Sequence, residues 1–250
     1  MLLVDSEPTQ IIMISYFRPN DFRKSAESVL TNTVCPFHLS IIDNSSGHLN
    51  QELDKVEKDP RVTIYRNQTN IGKGAGVNLW YDTIMKGTSL DHVVSIDGDV
   101  VVPFQWLLKL KRSLFEARKH YPVGFIAPAI SDSSEDTWEA QLNQQTLSMH
   151  QYYRMKEIDY YPGLYYNGIL AGPLFIIDRK FFEKNGLYYD GQLYGADDGG
   201  LCKSANKMKL FIGIDSNVVV EHSNDDTTID YKEWKRRNIT KGVDQCGHWD

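Results

Sequence analysis

Several large protein classes are excluded by what this chain lacks. It has only three cysteines, Cys35, Cys202 and Cys246, set far apart and without a Cys-x-x-Cys spacing. That argues against a disulfide frame or a cysteine zinc site, and reads as reduced thiols in a reducing compartment. No stretch approaches the roughly 18 apolar residues of a membrane span. The N-terminus has neither the basic start nor the long apolar run of a secretory leader. These absences lead to the expectation of a soluble, cytoplasmic protein. An excess of positive charge is also missing: the net charge is −6, so no stable nucleic-acid partner is expected. The local exception is Lys232, Lys235, Arg236, Arg237 and Lys241, a basic C-terminal segment that leaves room for peripheral contact with anionic lipid.

Phosphate-loop signatures are missing too. The Gly-rich stretch Asn70-Ile-Gly72-Lys73-Gly74-Ala-Gly76-Val-Asn78 contains neither Gly-x-Gly-x-x-Gly nor Gly-Lys-Ser/Thr, so the dinucleotide and P-loop readings both fail.

What is present is a regular alternation of strands and helices. Residues 10–15 form a short apolar strand that runs into the turn Tyr16-Phe17-Arg18-Pro19-Asn20. A helix follows, with Asn20 or Asp21 as its cap and Phe22, Ala26, Val29 and Leu30 on one face. Strands are predicted over 37–43 and 62–66, with a polar helix over 51–58 between them. The Gly-rich stretch then enters a helix carrying Leu79, Ile84 and Met85. Further on, helical spacing covers 104–120 and a strand covers 123–127. After a break come a strand at 174–177, helices at 179–184 and 198–207, and strands at 211–214 and 218–221. Such alternation predicts an α/β domain with a mostly parallel central sheet and helices on both faces. At 250 residues and 41% hydrophobic content, the chain can bury one sizeable core. The expected division is a ligand-binding half at 10–130, a second half at 131–225 and a basic, partly helical tail at 226–250. The break, 131–166, is polar at first and then rich in tyrosine (Tyr152, Tyr153, Tyr160, Tyr161, Tyr165, Tyr166). A long irregular insertion in a compact domain usually serves function. Its aromatics, with Trp138, suit sugar stacking and plain packing equally.

The most informative run is His92-Val-Val-Ser-Ile-Asp97-Gly98-Asp99-Val-Val-Val102. β-Branched residues favour a buried strand. This one empties into two carboxylates at its carboxyl end, where open α/β sheets place their ligands. Two hard oxygen donors there suit a divalent cation that bridges a diphosphate, and Gly98 lets backbone approach a bulky ligand.

The order of these pieces resembles the GT-A fold of nucleotide-sugar-dependent glycosyltransferases, most closely the inverting family 2. The likeness spans about residues 10–222. Its marks are Ser15-Tyr16, Asp43-Asn44-Ser45, Asn70-x-Gly72 leading to Asn78, Asp97-Gly98-Asp99, the strand from Gly172 to Arg179, Gly195-Ala-Asp197-Asp198-Gly-Gly-Leu201, and a terminal His222. In one place the chain departs from the pattern. Where the family commonly shows Glu-Asp-x-Asp-Leu, this chain has Asp197-Asp198-Gly199-Gly200-Leu201, so the position of the second aspartate is a glycine, Gly200.

The resemblance implies a hexosyltransferase-type enzyme that takes a sugar from a nucleoside-diphosphate sugar, UDP-sugars favoured, and passes it to an acceptor hydroxyl. A divalent ion, Mn²⁺ or Mg²⁺, held by Asp99 with His222 as second ligand would act as Lewis acid on the leaving diphosphate. An imidazole ligand tilts the choice toward Mn²⁺. Asp97 would contact the ribose. Asp43 would accept an N–H of the nucleobase, although a helix cap or an Asx turn within Asp-Asn-Ser-Ser explains it equally well. Ser15, Tyr16, Asn70, Lys73, Gly98 and Gly172 complete the implied donor site. Asp198, with Asp197 as second candidate, would take the acceptor proton, and direct displacement would then invert the anomeric carbon. Two other functions fit parts of the pattern. A sugar nucleotidyltransferase shares the sheet, but its N-terminal phosphate loop is absent, since Ser-Tyr-Phe-Arg-Pro follows Ile14. A non-catalytic glycan- or nucleotide-sugar-binding domain would not need Asp99, Asp198 and His222 together.

Overall fold

A computed structural model describes residues 8–16, 18–132, 156–157, 159, 161–166, 170, 173–185 and 197–223. The N-terminal half alternates β1 (Thr9–Ser15), α1 (Pro19–Asn32), β2 (Phe37–Asp43), α2 (Asn50–Val56) and β3 (Val62–Arg66). It continues through α3 (Lys73–Thr83), β4 (His92–Asp97), the short β5 (Val100–Val101), α4 (Trp106–Arg118) and β6 (Val123–Asp132). Then come β7 (Lys156–Glu157), β8 (Leu164–Tyr166), β9 (Leu174–Asp178), α5 (Arg179–Asn185), α6 (Asp197–Lys207) and β10 (Phe211–His222).

The described strands lie in one sheet of order β3-β2-β1-β4-β9-β6-β10-β8-β7, with β5 pairing β10 from outside that path. The expectation of a mostly parallel sheet holds for β3-β2-β1-β4 and for β6-β10. It fails at β9, which runs antiparallel to both β4 and β6, and at β8, antiparallel to β10. The sheet is therefore mixed. Period-2 alternation is the same for parallel and antiparallel pairing, so the residues of β9 carry no signal of its direction.

Strand periodicity explains the two-sided core. Along β1, Ile11 and Met13 face one layer with Phe22, Ala26 and Val29 of α1, Leu53 of α2, and Trp106 and Leu110 of α4. The alternate residues Ile12 and Ile14 face the other layer, with Val77 and Trp80 of α3, Phe182 of α5 and Leu201 of α6. Period-2 alternation sends consecutive side chains to opposite faces, so continuous apolar strands need helices on both sides. A Cβ on Gly76 would stand 3.2 Å from Cγ2 of Ile42 and 3.4 Å from Cδ1 of Ile14. Glycine there lets α3 lie close on the sheet.

Four local expectations are corrected. The cap of α1 is Arg18, in a left-handed conformation (φ 61°), not Asn20 or Asp21. Proline supplies the first helical position, where its missing N–H costs nothing. Leu79 points outward (48% exposed), because the inner face of α3 is made by Gly76, Val77, Trp80 and Tyr81. Met85 belongs to a separate 3-10 turn, although it is buried in the same layer. The stretches 211–214 and 218–221 are one strand, β10, with a register shift between Asp215 and Val219 that absorbs the polar break. Of the tyrosine-rich segment, Tyr161 packs beneath the Arg112 guanidinium and Tyr166 lies against Phe211, so these two serve as packing. Trp138, Tyr152, Tyr153, Tyr160 and the basic tail lie outside the described residues. Cys202 is a buried free thiol whose pKa burial pushes up to about 12, which makes it chemically inert.

Candidate functional site

Parallel pairing brings the carboxyl ends of three strands to one edge. Ser15 is level with Asp43, and Ile14 with Asp97. The Ser15 hydroxyl is buried and donates to the carbonyl of Ile42, while Ser15 O accepts from Asn44 N. Gly98 N donates to Ile14 O, and a Cβ at Gly98 would meet that oxygen at 3.0 Å and Ser15 Cα at 3.2 Å. The glycine between the two aspartates thus lets the turn lie tightly against the neighbouring strand β1.

Around this edge the polar loops are built of side-chain-to-backbone turns. Asp43 is 1% exposed and its Oδ1 accepts from Ser45 N at 2.8 Å, an Asx turn. Asn70 Oδ1 accepts from Gly72 N at 2.8 Å and so shapes the approach to α3. Asn44 ties the loops together, donating to Gly72 O and accepting from Asn67 Nδ2. The Tyr16 hydroxyl is hydrogen-bonded to Asn70; burial raises its pKa and that bond partly offsets the rise.

The charged residues fall into two linked groups. In the first, Lys73 Nζ lies 3.0 Å from Asp97 Oδ1 and 3.8 Å from Asp198 Oδ1. In the second, Asp99 has Arg18 Nη1 at 2.9 Å from Oδ2 and His222 Nε2 at 3.5 Å from Oδ1. His222 arrives here because β10 runs antiparallel to β5, which sets His222 opposite Val100. Burial works against the Asp99 anion, but His222 and then Arg18 outweigh it, so its pKa is lowered. The structure therefore brings Asp97, Asp99, Lys73, Asp198 and His222 to one edge. Asp197 opens α6 beside Asp198, while Gly172 lies outside the described residues.

Arg18 had no role in the sequence reading beyond its place in a turn. Its side chain is only 10% exposed, and its Nη1 donates to the Ser223 carbonyl at 2.8 Å as well as to Asp99. A left-handed non-glycine residue costs about 1–3 kcal/mol and persists only where its surroundings hold it. A basic residue just past the first strand was the one available signal.

The donor set can be tested against a divalent cation. Among the described residues no three His, Cys, Asp or Glu side chains cluster as a complete cage. Asp99 Oδ1 and His222 Nε2 are 3.5 Å apart, whereas two adjacent ligands, each about 2.1 Å from an ion, stand about 3.0–3.5 Å apart. The pair fits a cation that takes its remaining ligands from a diphosphate and water, the usual habit of Mg²⁺ at nucleotide sites.

A mixed sheet between two helical layers, with its polar edge at the ends of β1, β2 and β4, defines an α/β protein of the Rossmann-like class. Residues 10–186 match Glycosyl transferase family 2, and the chain belongs to that family. Among solved structures, GalNAc-T7 with UDP, GalNAc and Mn²⁺ is similar over 88% of this chain, with a TM-score of 0.64 and 17% identity. The likeness covers 44% of GalNAc-T7, so this chain spans less than half the length of that protein. At such identity the likeness speaks to the GT-A fold. No curated protein matches the chain. Among the described residues no helix is long and apolar enough to cross a membrane.

Proposed function

We propose that this chain is a metal-dependent, inverting glycosyltransferase that moves a sugar from a nucleoside-diphosphate sugar, UDP-sugars favoured, to an acceptor hydroxyl. The observation that carries the reading is the convergence of Asp97, Asp99, Lys73, Asp198 and His222 at one sheet edge. In this reading residues 10–130 form the donor half and residues 131–225 the acceptor half. Support for the donor comes from GalNAc-T7, whose structure holds UDP and Mn²⁺.

Each side chain has a task in this scheme. Asp97 accepts from the ribose hydroxyls, and Lys73 holds its carboxylate in place. Asp43 and the Asn70 loop, with Tyr16, frame the nucleobase end. Asp99 and His222 would hold the Mn²⁺ or Mg²⁺, which when bound would supply Lewis acidity for the departing diphosphate. Asp198 takes the proton of the acceptor hydroxyl as that oxygen attacks the anomeric carbon from the face opposite the leaving group. No carboxylate bonds to the sugar, so the configuration inverts. The buried thiol of Cys202 agrees with a reducing, cytoplasmic setting.

The direct test is a thermal-shift screen of UDP-, GDP- and dTDP-sugars with and without Mn²⁺. A bound ligand raises stability by mass action. The expected result is stabilisation by a UDP-sugar that chelation abolishes. No shift with any nucleotide sugar overturns the reading. Stabilisation without donor hydrolysis or transfer points instead to a binding domain.

A further inference from the structure

We propose that Arg18 is a positioning residue of the Asp99–His222 cation site. The proposal rests on reading that pair as the cation's protein ligands. Three observations bring Arg18 forward. Its guanidinium is almost wholly buried and bonds Asp99 Oδ2 at 2.9 Å. The same Nη1 bonds the carbonyl of Ser223 at 2.8 Å, the residue directly after His222. Its backbone takes a left-handed conformation at φ 61° immediately before Pro19, and its carbonyl accepts from Phe22 N to start α1.

Together these contacts make Arg18 the residue from a third segment that locks two others. Through Arg18 the loop after β1 reaches both the turn between β4 and β5, which carries Asp99, and the end of β10, which carries His222. Because the guanidinium holds Oδ2, the oxygen turned toward His222 Nε2 is Oδ1. Asp99 is thus set to offer one oxygen to a cation. The backbone reinforces the clasp, with Ser223 N donating to Asp99 O at 3.1 Å. Asp21 lies 3.4 Å from Arg18 Nε and adds a second carboxylate beside the guanidinium. A planar fork with several fixed donors suits such a three-way contact, and a lysine ammonium does not reproduce it.

Simple electrostatics gives the opposite expectation, which makes the proposal discriminating. A positive group beside a cation site repels the cation, so a guanidinium that was merely a neighbour would bind Mn²⁺ tighter when removed. A positioning residue gives weaker binding when removed. Groups that orient metal ligands from behind typically cost about 10–100-fold in metal affinity when lost.

The experiment is a Mn²⁺ titration of the full chain, followed by the electron paramagnetic resonance signal of free Mn²⁺, with and without UDP. Wild type, Arg18→Met and Arg18→Lys are compared, and thermal melts report folding. Arg18→Met should weaken Mn²⁺ binding about 10–100-fold, with Arg18→Lys between it and wild type. Unchanged or tighter Mn²⁺ binding by folded Arg18→Met overturns the proposal. If Arg18→Met does not fold, Arg18→Lys decides: weaker binding supports the role and unchanged binding removes it. Wild type that binds no Mn²⁺ even with UDP removes the cation reading of Asp99 and His222, and the role of Arg18 with it. Wild-type binding with unaffected variants removes Arg18 alone.

Discussion

Lys73 and Asp97 are paired at 3.0 Å between the first residue of α3 and the last residue of β4. Lys73 also reaches to 3.8 Å from Asp198 on α6, so one ammonium spans the donor and acceptor sides of the proposed site. Hydrogen bonds to charged groups are worth about 1.5–3 kcal/mol, which corresponds to about 10–100-fold in affinity. Lys73→Met should therefore weaken UDP-sugar binding by about that factor, with Lys73→Arg intermediate. Isothermal titration in Mn²⁺ checks this, and wild-type affinity in Lys73→Met would leave the lysine a purely structural role.

At the cation pair, Asp99→Ala should abolish the Mn²⁺-dependent part of nucleotide binding, because the diphosphate loses its bridging ion. His222→Ala should weaken that binding without unfolding the chain, since the imidazole stands at the end of β10 and is partly exposed. Titration of Mn²⁺ with UDP present measures both. An Asp99→Ala protein that binds nucleotide equally well before and after chelation contradicts the scheme.

Chemistry and donor binding should separate at Asp198. General-base removal costs roughly 10²–10⁴-fold in rate, so Asp198→Asn should lower turnover by about that factor and leave donor affinity nearly intact. Asp197→Asn should be milder. Stability should shift by less than about 0.5 kcal/mol, the usual range for a polar change away from the core. Loss of donor affinity with turnover retained at saturation would make Asp198 a donor ligand.

A further carboxylate, away from this edge, predicts a pH effect. Asp215 is buried in the irregular part of β10, hydrogen-bonded by Ser113, Asn217 N and Asn217 Nδ2. Burial raises its pKa, and these bonds only partly oppose the rise. With the folded value above the unfolded one, its stabilising contribution is complete below the ordinary carboxylate range. That contribution is lost as pH rises through the raised value. Asp215→Asn keeps an acceptor for Asn217, and the Ser113 hydroxyl can then turn its one proton to Lys109 O. The variant should melt no lower than wild type near about pH 7, with its relative advantage shrinking toward about pH 4. Melting curves across pH check this; a deficit in Tm that is the same at every pH would show that the charge itself is not the cost.

Much of this architecture is local and therefore legible before folding. The β-branched run from His92 to Ile96 announces a buried strand, and the carboxylates that end it stand at an edge where α/β sheets bind ligands. The alternation of Ile11, Ile12, Met13 and Ile14 already demands helices on two faces, because each side chain points opposite to the last. Asp43 and Asn70 within short polar turns make the bonds to backbone that their residue types favour.

Other features depend on contacts between distant segments, which local spacing does not encode. β9 lies antiparallel to β4 and β6, and no periodicity in β9 itself specifies a direction. Arg18 reads in sequence as a turn residue before a proline; only the packed structure sets its guanidinium on Asp99. His222 likewise becomes a neighbour of Asp99 through the pairing of β10 with β5. From sequence alone came the family pattern, the strand-end acids and the two-layer core, all carried by residues close together in the chain. The partnership of Asp99 with Arg18 and His222 was decided by tertiary structure, because it exists only once three separate segments share one sheet edge.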